Sequence, residues 1–128
     1  MKVYELQKGS ANLDGLRLSE RPVPQPGPTQ VLIRIRATIL LSDGAGEVVA
    51  AGPGVSRFQI GDRVAGTFFQ VWKDGPRSSF IPALGVPLDG MLAEYVALHE
   101  DGVVAIPQSL SFEEAASLPC AGVTAWNA

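Results

Sequence analysis

Few residues in this chain can do chemistry: a single cysteine, Cys120, a single histidine, His99, and two close glycine pairs. Zinc needs three or four thiolate, imidazole or carboxylate ligands in a tetrahedral array. One Cys and one His with no spacing motif do not supply them, so no metal is expected. As a general base, His99 would need a cleft and an orienting partner. It ends an apolar run just before Glu100-Asp101-Gly102, where a surface histidine at a strand end is expected. Cys120 stands in Leu118-Pro119-Cys120-Ala121-Gly122. A reactive thiol is activated by a neighbouring base or cation, and without one a free cysteine behaves as a small buried apolar residue. No such neighbour is expected for Cys120. Gly44-Ala45-Gly46 and Gly52-Pro53-Gly54 start like a phosphate-cradling Gly-x-Gly-x-x-Gly turn. Both fail at the third glycine, and neither opens a helix. No catalytic, cofactor-binding or metal-binding residue is therefore assigned.

The elements that would position such residues are mostly short strands. Val3–Leu6 and Leu16–Leu18 flank a turn at Asp14-Gly15. Arg21–Pro28 alternates prolines, which fix φ and remove backbone donors, so it is an extended connector. Gln30–Thr38 is the clearest strand, with Val31, Ile33, Ile35 and Ala37 on one face and Arg34, Arg36 and Thr38 on the other. Glu47–Ala51 is a second strand, ended by Gly52-Pro53-Gly54. Gly61-Asp62 is a turn before a strand from Arg63 to Phe69. Residues 70–90 show no clean period and are expected as loop. Met91–Leu98 and Val103–Ile106 complete the strands. Ser111-Phe112-Glu113-Glu114 is a capping box, predicting a short helix to about Ser117 that Pro119 interrupts. Gly122–Ala128 is a second helical stretch. Short strands, Gly/Pro turns and one small helix predict a mainly β, partly open barrel with a short C-terminal helix.

Composition agrees with a single domain spanning 1–128. The chain has 128 residues, 46% of them hydrophobic, enough for one core and too few for two. A net charge of −3 without a Lys/Arg cluster argues against nucleic acid. No apolar run approaches the ~20 residues of a membrane span. The charged N-terminus lacks the apolar core of a signal peptide. One cysteine cannot form an internal disulfide, so a soluble, cytoplasmic protein is expected.

In this order, several segments resemble the medium-chain dehydrogenase/reductase family, and within it the zinc-independent, quinone-reductase-like members. These are Gly44-Ala45-Gly46-Glu47-Val48-Val49, Gly61-Asp62-Arg63-Val64, Leu92-Ala93-Glu94-Tyr95-Val96, Phe112-Glu113-Glu114-Ala115-Ala116 and Leu118–Ala128. The resemblance implies a GroES-like barrel that walls a substrate cleft, with a Rossmann domain holding NAD or NADP. Residues 118–128 would then be the start of the linker helix toward that domain. It also marks two departures. Similar enzymes carry a long cleft-lining segment where Ile39-Leu40-Leu41 joins the strand to the Gly44 hairpin, and the Rossmann half does not follow.

The resemblance implies an isolated, non-catalytic domain of an NAD(P)H-dependent oxidoreductase, with no cofactor of its own, and an engineered origin is expected over a decayed natural fragment. Zinc-dependent relatives carry Gly-His-Glu where Leu41-Ser42-Asp43 stands, and a ligand close to the position of Cys120. Thr124 matches a threonine near the nicotinamide. Phe68, Phe69 and Trp72, and Trp126 in the last helix, are expected as core or as an apolar face through which the chain self-associates. A second reading is a co-chaperonin-like assembly module sharing the barrel, with Ile39-Leu40-Leu41 as an apolar loop triplet; ring formation would favour it.

Overall fold

The computed structural model describes residues 1–7, 9–10, 13–39, 41–72, 74–76 and 81–128. Two N-terminal strands, β1 (Lys2–Leu6) and β2 (Leu16–Glu20), pair antiparallel across a 3-10 turn at Leu13–Gly15. Residues 21–27 hold no strand or helix, in keeping with their prolines, and Pro28 enters a turn closed by the Gln30 amide on the Gly27 carbonyl at 3.1 Å. The body is a five-stranded antiparallel sheet built from β3 (Gln30–Ile39), β4 (Asp43–Ala51), β5 (Arg63–Gly66), β8 (Tyr95–His99) and β9 (Val103–Ala105), in the order β8-β3-β4-β5-β9. A two-residue pair, β6 (Ala83–Leu84) and β7 (Pro87–Leu88), forms a separate small parallel sheet. The result is a curled half-barrel with one short capped C-terminal helix.

The inner face carries the fold. Val31, Ile33, Val48, Val64, Met91 and Val103 are fully buried, each such side chain contributing about 1.5–3 kcal/mol relative to exposure. Leu84, Val96 and Leu98 join them in one cluster. The alternation expected along β3 holds for Val31 and Ile33. Leu32 is also buried, on the other face of the strand, whose pairing with β8 runs unbroken there. A second cluster of Ala45, Ala65, Ile106, Ala115 and Ala116 seats α1 (Phe112–Ala116) on the sheet. The small side chains let the helix approach closely.

Ser111 caps that helix as its sequence predicts. The Glu114 amide donates to Ser111 Oγ at 3.1 Å, and the Ser111 amide donates to Glu114 Oε2 at 2.8 Å. After Ser117 the chain widens into a π turn, Leu118–Gly122, with Pro119 at its start, and tightens again as α2 (Val123–Trp126).

Three strand boundaries differ from the sequence reading by three residues or more. β4 begins at Asp43 rather than Glu47, because Asp43–Gly46 is drawn into pairing with Ile35–Ile39. β5 stops at Gly66, and Phe69 makes an isolated bridge to Ala83. The strand expected from Met91 begins at Tyr95; Ala93 instead bridges Val3, tying the N-terminal hairpin to the sheet. The stretch 70–90, expected as loop, holds β6 and β7. Parts of it, and Leu40 of the Ile39-Leu40-Leu41 join, lie outside the described residues.

The turns need their glycines. Gly54 and Gly61 have φ of +81° and +97°, where a Cβ is strained. Asp62 accepts from the preceding Gln59 amide at 2.8 Å, which braces the turn. Glu100, which is buried, accepts from the Ser56 and Arg57 amides at 2.9 and 2.8 Å. Those donors hold its carboxyl below the ordinary value of 4.5. Its contribution to stability is therefore present above that value and lost as pH falls through the lowered one.

Candidate functional site

The hairpin between β3 and β4 turns on Leu41-Ser42 and delivers Asp43 into the interior, 4% exposed. The turn is held from both sides. Thr38 Oγ1 donates to the Asp43 carbonyl at 2.7 Å, and the Met91 amide donates to the Leu41 carbonyl at 2.8 Å. Gly44 packs on Met91, whose Cβ would stand 2.7 Å from any Cβ added there.

The Asp43 carboxylate has two partners. Ser42 Oγ donates to Oδ1 at 3.3 Å, and the backbone amide of Cys120, in the π turn, lies near enough to favour the ionised carboxylate. Burial outweighs both donors and raises the Asp43 carboxyl above its ordinary value of 3.8. The structure thus joins two places that the sequence reading had kept apart. No carboxylate was expected near Cys120, and one is present; it lies beside the Cys120 amide, where the π turn packs against β4. Cys120 itself is half-buried rather than a sealed core residue. The signal for this contact was the pair of positions at which zinc-dependent relatives hold ligands.

The other candidates are dispersed. His99 ends β8 at the surface, and its Nδ1 accepts from the Asp101 amide at 3.1 Å. Thr124 is exposed on α2. Phe68, Phe69 and Trp72 form an edge-to-face row, with centroids 4.7 and 6.0 Å apart, half-buried at the phenylalanines and 40% exposed at Trp72.

The glycine pairs are part of the packing of the sheet. Gly44 and Gly46 lie inside β4 with their backbone packed, Gly44 on Met91 and Gly46 on the Arg34 carbonyl. Gly52 packs on the Gly27 carbonyl. A phosphate cradle needs free amides at a strand-to-helix turn, whereas Gly44 faces the Met91 side chain and Gly46 and Gly52 face neighbouring backbone. Among the described residues no three His, Cys, Asp or Glu side chains are grouped to hold a metal ion.

The raised Asp43 carboxyl gives a signed pH dependence. Between 3.8 and the raised value the folded chain holds a proton that the unfolded chain has released, so stability falls as pH rises through that window. Above it, the loss is complete and constant. Asp43→Asn has no such titration. Urea denaturation should find the wild-type midpoint, relative to the variant's, highest below 3.8 and lower at neutral pH. A difference that stays flat or grows with pH would contradict the burial assigned to Asp43.

Comparison with known proteins accords with this architecture. Residues 34–108 match the alcohol dehydrogenase GroES-like domain. A zinc-type alcohol dehydrogenase-like protein of Schizosaccharomyces pombe is 35% identical over 97% of this chain and 43% of its own length. That alignment runs over 149 positions, more than this chain's 128 residues, so the relative carries residues that this chain lacks. Among solved structures, a putative alcohol dehydrogenase from Sinorhizobium meliloti 1021 is 40% identical, covering 87% of this chain and 40% of that one, with a TM-score of 0.81. An NAD-dependent alcohol dehydrogenase is 31% identical, covering 99% and 46%, with a TM-score of 0.87. The chain spans less than half the length of these relatives. No helix among the described residues is long and apolar enough to cross a membrane. A half-barrel of this topology, matched in sequence over most of its sheet, makes the chain a member of the alcohol dehydrogenase GroES-like domain family, within the medium-chain dehydrogenase/reductases.

Proposed function

We propose that these residues form one wall of the substrate cleft in an NAD(P)H-dependent alcohol dehydrogenase or quinone-oxidoreductase-like enzyme. In our reading, the 128-residue chain alone neither holds the nucleotide nor turns over substrate. The observation that carries this is the direct passage from β3 to β4. Ile39 pairs with Asp43 across the turn, and Asp43 goes inward with both partners found inside the chain. A cleft needs polar groups left free to meet substrate, and here the polar groups at the hairpin tip are spent on each other. The longer alignment with the fission-yeast relative is consistent with a cleft-lining segment that is shortened in this chain. In the complete enzyme a nicotinamide would supply hydride; this domain would contribute apolar wall and shape.

The C-terminal stretch gives the domain an association face. Leu118, Val123 and Trp126 are 45%, 57% and 91% exposed, a concentration of apolar side chains that in isolation finds another surface. A second copy of the chain is the occupant we assign. Sedimentation of the chain should show a concentration-dependent dimer, and Trp126→Ser should shift it toward monomer. A wild-type chain that stays monomeric at all concentrations would remove this assignment.

The cofactor part of the reading is checked by titrating NADPH into the purified chain, following tryptophan quenching and nucleotide fluorescence. No saturable binding into the millimolar range is expected. Saturable micromolar binding would overturn the non-catalytic reading.

A further inference from the structure

Five aspartates in this chain are followed directly by glycine: Asp14, Asp43, Asp74, Asp89 and Asp101. Such a bond is chemically vulnerable. With no Cβ on the following residue, little hinders the rotation that brings the aspartate side chain onto the next amide nitrogen. The structure obstructs that route at four of the five. Asp43 is buried in β4 and paired with Ile39. Asp14 lies in the 3-10 turn, its carbonyl accepts from Arg17 Nη1 at 2.7 Å, and Gly15 is buried. The Asp101 carboxylate holds Arg57 Nη1 at 3.0 Å, its amide donates to His99 Nδ1, and Gly102 is buried. Asp89 is exposed, but its carboxylate holds Arg21 Nη1 at 3.0 Å, and Gly90 packs so closely on Leu41 that an added Cβ would fall on the Leu41 carbonyl oxygen. Asp74 and Gly75 differ. Both are exposed, Gly75 has a φ of +75°, and nothing lies within 4 Å of the place its Cβ would take. Among the described residues no hydrogen bond or ion pair engages either one.

We propose that the Asp74–Gly75 bond is a self-modification site, converting to isoaspartate ahead of the other four. The Gly75 amide nitrogen attacks the side-chain carboxyl carbon of Asp74, water leaves, and a five-membered imide closes. Water then reopens the ring at either carbonyl. Opening at the former main-chain carbonyl leaves the backbone running through the side-chain carboxyl, with one more methylene in its path and no net change in mass. The α-carboxyl freed in this way is the group that an isoaspartyl-directed carboxyl methyltransferase would esterify. The proposal involves neither the cleft nor the association face proposed above.

The test is to incubate the intact chain in mildly acidic buffer, digest it, and locate isoaspartate by electron-transfer fragmentation, which separates the two backbones of equal mass. In the folded chain the product should build up at Asp74 roughly ten-fold faster than at any of the other four, whose reaction waits on local opening. In urea that protection is gone, and all five should react within about three-fold of one another. Asp74→Glu would need a six-membered ring, and should lose the product at this position while the other four sites keep their rates. Equal rates at all five in the folded chain, or a faster reaction at Asp89, would overturn the proposal. So would a like preference for Asp74 that persisted in urea, because the local sequence rather than the fold would then set it.

Discussion

The close approach of β4 to β3 is the constraint from which most of this structure follows. At Gly46 the two backbones are so near that a Cβ would fall on the Arg34 carbonyl oxygen, so only glycine permits the pairing there. That pairing puts Ile33 and Val48 opposite each other in the fully buried core. It also carries Asp43 to the interior and sets the surface on which α1 packs through Ala45. Overpacked positions of this kind cost about 1–3 kcal/mol when forced, so the strand is fixed by its smallest residues.

The same closeness explains why the hairpin tip is inward-looking. With β3 and β4 joined over a short turn, Thr38, Ser42, Asp43 and the Cys120 amide satisfy one another. The C-terminal π turn packs against the sheet beside this buried carboxylate. In this chain the corner acts as a structural joint.

Much of this was legible in the sequence where side chains act locally. The β3 alternation, the proline connector, the turn at Gly61 and the Ser111–Glu114 box each follow from the chemistry of a few adjacent residues. The elements that were missed depend on distant partners. Asp43–Gly46 has little strand propensity of its own and becomes strand because Ile35–Ile39 lies beside it. β6 and β7 are two residues each, too short for any periodicity. The contact of Asp43 with Cys120 joins the β3–β4 turn to the end of the chain, and nothing local to either residue announces it. The surface placement of His99 was legible; its tautomer was not, because that is set by the Asp101 amide.

Amide hydrogen exchange along β4 tests the central claim most directly. If the strand is continuous with β3 through the turn, Gly44 and Ala45 should exchange with nearly the same free energy as Val48 in the core. Rapid exchange at Gly44 and Ala45 beside a protected Val48 would mean that the two strands part before the turn, and that Asp43 is not the joint described.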